Sequence, residues 1–380
     1  MIAYSESELY NHHVKCEAQQ AFELGDISAD SRSKMEAAYP CKLYTPHFFI
    51  AIALGLLTIV ATFFTGILTW LFTQAESSSG IAAFCAFMAI VCYFFLEWMV
   101  KNKSYFNSGI DNALMVLVVV FPGGIILSYF QDIPWILFTG LIMLIALLLC
   151  LRFADAFMAI ISCGFFLAFC FLLCLKSGSA TVEYFPFLMM LIIGVLYFFT
   201  VKAKHRIKFI YEKCVMVLTV FLLLAFYAAG NYWVINQLQS SVIDVPGAIH
   251  SGWAFWILTF LMPLLYVVYG IIKKSLLHLR TGLVLVALAV LTYRYYYTFL
   301  PLENMMLVAG LVLITTSYFF IKWLQPSRYG YSSESTFIRP AWNNAEALII
   351  GETMGGLSKT TDTHLMDGGS GGGAGASGEY

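Results

Sequence analysis

The sequence predicts an all-α, polytopic helical membrane protein with about ten transmembrane helices and both termini on the cytoplasmic side. Three observations carry this reading. Ten apolar stretches have the length of a bilayer crossing, nearly all basic residues fall in alternate connections, and tryptophans gather near the stretch ends. The composition agrees, with 60% hydrophobic and 11% charged residues in 380, against about 45–50% and 25% in a soluble domain. No single water-facing fold of this length can bury that much apolar surface.

Residues 1–47 form a polar segment that precedes the first span. It lacks the short apolar core of a cleavable signal peptide, so insertion is expected to begin with the first span itself. Within it, Leu9, Val14 and Phe22 recur among polar residues, and Gly25 divides two short amphipathic helices. Ser28 and Asp30 are candidate N-caps for the second. Two helices around a turn suggest a DNA-binding shape, but the second carries only Arg32 and Lys34. Together with a net charge of −1, this excludes a nucleic-acid partner. Docking or regulation against the membrane face is the expected role. His12-His13-x-x-Cys16 offers metal-ligand residue types on one turn, yet without a partner motif they are read as ordinary surface residues.

A helix needs about 20 apolar residues to cross the hydrocarbon. The spans are placed at 48–72, 80–100, 110–130, 135–151, 154–175, 185–201, 214–234, 251–272, 276–299 and 304–324. Two joins are short, one around Arg152 and one at Lys273 and Lys274; each is read as a helical hairpin. Beyond the bundle (48–324), residues 325–366 form a cytoplasmic polar segment in which 341–350 follows Pro340 as a short interfacial helix. Residues 367–380 are Gly-rich and expected to be disordered.

Orientation follows from Lys and Arg. One side collects 19 of the 21 basic residues and the other holds only Lys176 and Arg294, so the basic side is cytoplasmic. The lipid bilayer is the one partner these spans require. Seven of the nine cysteines lie in or at the ends of apolar segments, and none lies in a segment placed outside, so no structural disulfide is expected. Cys163, Cys170 and Cys174 share a helix face as small packing residues.

Ionisable residues inside spans are the default functional candidates. Asp111, Asp132, Asp155 and Glu303 each stand at the N-terminal end of a span, where a carboxylate caps free N–H groups. Glu97 precedes Lys101 by one turn as a favourable ion pair. Arg294 departs from the pattern. It lies inside the outer end of the ninth span among Tyr293, Tyr295, Tyr296 and Tyr297. One reading is a snorkelling side chain in an aromatic belt; the other is an anion or headgroup contact in an outward-facing pocket. Pro122, Gly123 and Gly124 interrupt the third span, and Gly230 and Asn231 lie at the outer end of the seventh. Broken helices mark substrate sites in transporters, and a proline kink is also ordinary span geometry. The candidate ligand contacts are therefore Arg294, Asn231, Pro122, Gly123, Gly124 and Tyr295, with no catalytic, metal or cofactor residues assigned.

The run Leu24-Gly25-Asp26-Ile27-Ser28, then Tyr39-Pro40 and the entry Tyr44-Thr45-Pro46-x-Phe48-Phe49-Ile50, resembles a Bacteroidetes-like family of bacterial multi-pass membrane proteins of unknown function. These carry a short cytoplasmic helical pair before a bundle of many spans. The resemblance covers about 60 residues and implies a bacterial inner (cytoplasmic) membrane and this architecture, with no activity attached. No H-E-x-x-H, G-x-S-x-G or P-loop motif occurs. The expected function is a non-enzymatic scaffold or accessory subunit, with a membrane-protein partner. The alternative is a transporter of a small solute or lipid component with an outward-facing site near Arg294. A membrane enzyme on lipid-linked substrates lacks a candidate acid or base and ranks last. The interior decides between the first two: polar side chains converging at mid-depth favour transport, and Leu, Phe and Ala favour a scaffold.

Overall fold

The computed structural model describes residues 2–322 apart from 25–26, 74–76, 130–133, 178, 205–208, 241–251, 298–303 and scattered positions between 305 and 320. The protein is an all-α polytopic membrane protein. Among the described residues, nine helices are long and apolar enough to cross a bilayer. The tenth expected span lies partly outside the described residues, and those described within it, from Asn304 to Lys322, are helical. The interfacial helix at 341–350 and the Gly-rich tail fall outside the described residues.

Two short helices come first, α1 (Glu6–Leu24) and α2 (Ala29–Ala38). Of the two candidate caps, Ser28 serves: its hydroxyl accepts the Ser31 N–H at 3.2 Å, satisfying a donor that has no intrahelical partner. The spans follow as α3 (Phe48–Thr73), α4 (Ser78–Lys103), α5 (Ile110–Tyr129), α6 (Trp135–Phe153), α7 (Ala156–Lys176), α8 (Ser179–Lys204), α9 (Glu212–Gly230), α11 (Gly252–Ile272) and α12 (Leu276–Tyr296), with the seven-residue α10 (Tyr232–Leu238) after α9.

Sequential helices pair side by side: α4 with α5, α6 with α7, α8 with α9, and α11 with α12. Helix α9 joins the halves by touching α7, α8, α11 and α12. Both short joins are hairpins. Ala154 (φ 52°) and Lys274 (φ 53°) adopt left-handed backbone and stop α6 and α11, and Asp155 caps α7 by accepting the Met158 N–H at 2.8 Å. The second hairpin closes on glycine. A Cβ at Gly270 would lie 2.6 Å from the Leu279 nitrogen, and one at Gly282 would lie 2.8 Å from the Val267 nitrogen. Close backbone approach through small residues is how helices gain packing energy where lipid removes the hydrophobic drive.

The interior is apolar. Leu96, Leu114, Met115, Ile142, Ala146, Phe153 and Met158 fill the space among α4–α7, and Tyr227, Met262 and Leu285 join α9 to α11 and α12. The buried Thr219, Thr259 and Thr292 each return a hydroxyl bond to the carbonyl four residues earlier.

Two expectations about helix continuity need correction. The third span is not interrupted at Pro122-Gly123-Gly124, because α5 continues through all three residues. Proline removes one N–H there, while the two glycines pack against neighbours: the Gly124 Cβ position is 3.0 Å from the Cys85 Sγ, and that of Gly123 is 3.7 Å from Ile142. The break occurs in the seventh span, which ends at Gly230 rather than running to 234.

Candidate functional site

Asn231 makes the break in the seventh span. Its backbone is extended (φ −82°, ψ 127°), ending α9 and starting α10. The side-chain oxygen accepts the Trp233 and Val234 N–H groups at 2.9 and 3.3 Å. The amide nitrogen donates to the Tyr227 hydroxyl at 2.9 Å and to Thr292 Oγ1 at 3.1 Å. Next along, the Tyr232 N–H donates to Thr259 Oγ1 at 3.0 Å. An asparagine has two donors and one oxygen with two lone pairs, so this side chain, 2% exposed, is fully used in holding α9, α10 and α12 together.

Around the junction Tyr232 stacks on Trp256 at 4.7 Å, and Tyr296 stands edge-on to both. Asn236 donates to the Tyr296 hydroxyl at 2.9 Å, and Gln237 to that of Tyr295 at 3.4 Å. A cavity of about 480 Å³ lies beside it, with Tyr227, Asn231, Trp233, Thr292 and Tyr295 in its wall. Asn231 and Tyr295 are thus brought together. Arg294 sits in the last turn of α12, partly buried and engaged, and is not a lining residue of this cavity. Pro122, Gly123 and Gly124 stand elsewhere, in α5 against α4 and α6.

The opposite arrangement, at the basic end, is a socket for the N-terminus. The Ala3 N–H donates to the Arg152 carbonyl at 2.9 Å. Tyr4, 7% exposed, meets Phe106 edge-on at 5.1 Å and Phe153 at 6.4 Å, with its phenol near the Asp111 carboxylate. That carboxylate accepts the Ser108 N–H at 2.8 Å and hydroxyl at 3.0 Å. Burial, with Asp111 and then Asp155 close by, drives the Tyr4 phenol far above its ordinary range. Burial pushes the Asp155 carboxyl up, opposed by the Met158 N–H and reinforced by Asp111. The phenol thus lies close to two acidic helix starts.

Further ties fix the segment. Lys42 N–H donates to Glu8 Oε2 at 2.9 Å, and Asn11 donates to the Pro40 carbonyl at 2.8 Å. Tyr44 makes a parallel bridge to Tyr105, with N–H bonds to the Ser104 carbonyl at 2.9 Å and from Phe106 at 3.1 Å. His12 lies edge-on to Phe106 at 5.6 Å and His13 against Phe209 at 5.7 Å. Burial, helped by Lys15, lowers the His12 pKa, and His13 Nε2 lies 3.2 Å from Glu17 Oε1.

Nearby, Glu97 pairs with Lys101 at 2.9 Å, as its spacing predicts, and also with Arg152 from α6. The Tyr211 hydroxyl donates to the Leu151 carbonyl at 2.6 Å, and Cys214 reaches the Ala154 carbonyl. Sequence reasoning missed this socket. Its available signals were Tyr4 standing just before α1 and the Ser108-x-x-Asp111 spacing of a capping pair. Asp132 and Glu303 lie outside the described residues. No family model matches the chain, and no curated protein or solved structure matches it either.

Proposed function

We propose that this chain is a non-enzymatic scaffold or accessory subunit of a bacterial inner membrane, with its basic end in the cytoplasm and its N-terminal helical pair serving as a fixed platform for a membrane-protein partner. The observation that carries this reading is the apolar interior: Leu, Met, Phe, Ala and Cys fill the space between the helices. Most cross-linking polar side chains lie toward the two ends, where they tie chain segments together, and the mid-span Thr219 returns its hydroxyl to its own helix. The docked N-terminus supports the same reading. Tyr4 and Leu9 are buried against the bundle, while Met35 and Phe22 face outward, so the pair is held and still presents surface.

The transporter reading draws support from the cavity beside Asn231 and Tyr295, but the amide bonds of Asn231 are spent within the fold. The two readings separate by photo-crosslinking in the native membrane from position 35. A platform yields one discrete protein adduct in a fixed stoichiometry, lost when α1 is undocked. Lipid adducts alone, together with a solute-induced thermal shift removed by Tyr295→Ala, would reverse the order.

A further inference from the structure

A second cavity, between α8, α9, α11 and α12, carries its own set of polar groups. It measures about 520 Å³, within the range of small-molecule sites. Five of its eleven lining residues carry rings: Tyr197, Phe226, Tyr266, Tyr269 and His278. The remainder are Leu, Ile, Val and Gly, so no charged side chain is among the described lining residues. One wall is formed by Leu265, Val268 and Ile272, all exposed on a membrane-spanning helix; the cleft therefore opens sideways into hydrocarbon.

Its polar end is organised. His278 Nδ1 lies 2.7 Å from the Ser275 hydroxyl, and its Nε2 lies 2.7 Å from the Tyr197 hydroxyl. This chain fixes the imidazole and the Tyr197 phenol in place. Tyr269 packs on the His278 ring at 4.8 Å, and its hydroxyl makes no hydrogen bond among the described residues. In the cavity beside Asn231 the amide groups are saturated by protein partners. In a third space of about 680 Å³, lined by Cys163, Phe166 and Leu218, the lining hydroxyls of Tyr211 and Ser162 are spent on backbone carbonyls. The Tyr269 cleft combines ring walls, lateral access and a hydroxyl with no hydrogen bond among the described residues.

We propose that this cleft binds a neutral, ring-bearing membrane lipid of the quinone class, its ring among the aromatic side chains and a ring oxygen accepting a hydrogen bond from Tyr269. A charged headgroup would lack a counter-ion among the lining residues. A plain acyl chain would offer the Tyr269 hydroxyl no acceptor. A planar ring with carbonyl oxygens satisfies both the ring walls, by offset or edge-on stacking, and the donor.

The test uses the full chain in phosphatidylethanolamine and phosphatidylglycerol nanodiscs, photolabelled with an azido derivative of a decyl-benzoquinone and mapped by mass spectrometry. Label is expected on α8, α11 and α12 around the cleft, displaced by unlabelled decyl-benzoquinone and not by decyl alcohol. Tyr269→Phe should weaken competition about fivefold, the worth of one hydrogen bond, with an unchanged thermal midpoint. Gly194→Leu should abolish cleft labelling. Its Cβ position meets Phe226 at an ordinary 3.7 Å, so the backbone tolerates a side chain that then enters the cleft. Equal displacement by decyl alcohol, label spread evenly over lipid-facing helices, or labelling unmoved by both variants would each overturn the proposal.

Discussion

Removing the Tyr4 ring should release the N-terminal segment while leaving the bundle intact. Tyr4 is 7% exposed and meets Phe106, Phe153 and Asp111. A buried aromatic side chain removes about 150–250 Å² from water, which at about 25 cal/mol per Å² is roughly 4–6 kcal/mol. An extended-chain reference makes this an upper bound, and aromatic-to-alanine truncations cost about 3–5 kcal/mol. Because the socket is at a water-facing end, the hydrophobic term applies there in full, unlike inside the bilayer. A cost of about 4 kcal/mol is roughly a thousandfold in the undocking equilibrium. Hydrogen exchange by mass spectrometry reads this directly, since local opening sets exchange in the segment that opens. Tyr4→Ala should accelerate exchange in α1 by up to that factor, with α5 and α6 unchanged. Tyr4→Phe, which keeps the buried ring, should accelerate it far less than Tyr4→Ala. Unchanged α1 exchange in Tyr4→Ala, or equal acceleration of α1 and α6, would refute the socket.

Asn231→Ala removes a helix cap and leaves Tyr227 and Thr292 without their donor, so it should destabilise by roughly 2–4 kcal/mol, read as a drop in thermal midpoint. Tyr295→Phe, which removes only the hydroxyl that accepts from Gln237 at 3.4 Å, is the contrast; equal shifts from the two would remove Asn231 from its structural role. Gly282→Ala places a Cβ 2.8 Å from the Val267 backbone and should cost about 1–3 kcal/mol by overpacking. Gly164→Ala, whose Cβ meets only Phe221 at 3.8 Å, should be neutral, and indistinguishable midpoints would show that the hairpin does not depend on close approach.

Helix positions were legible in the sequence, and so were the two hairpins, because Arg152 and the Lys273–Lys274 pair interrupt apolar runs too long for one crossing. The location of the helix break was not. Proline at 122 marks a lost N–H, but a helix in hydrocarbon can end only where other groups satisfy its backbone. At Asn231 those groups exist: its own side chain, Thr292 at a sequence distance of 61 residues, and Thr259, which takes the Tyr232 N–H. Nothing local to residue 231 announces partners that far away. At Pro122 the small Gly123 and Gly124 instead admit α6 and α4, so the helix continues. The socket was hidden for a similar reason. Asp111 and Asp155 were readable as residues at helix starts, yet which phenol would lie between them depends on how residues 2–47 fold back.

Hydropathy also could not rank the faces of the spans, and the reason is physical. In water an apolar face must be covered, so burial follows sequence pattern; in lipid a leucine facing acyl chains is as well solvated as one facing another helix. The consequence is visible in α3 and α5. Their most apolar windows have mean hydropathies of 2.4 and 2.2, yet none of the first is buried inside the protein and 44% of the second is. Apolar character therefore locates helices without locating the core. What separates a packed face from a lipid face here is a residue that lipid would punish or a glycine that only a neighbour would reward. Asn231, Thr259 and Thr292 are of the first kind, and Gly270 and Gly282 are of the second. The Tyr197–His278–Ser275 chain belongs to the first kind as well, and Tyr269 beside it is the member whose hydroxyl the described fold does not use. The Asn231 amide, by contrast, has its bonds taken up within the protein.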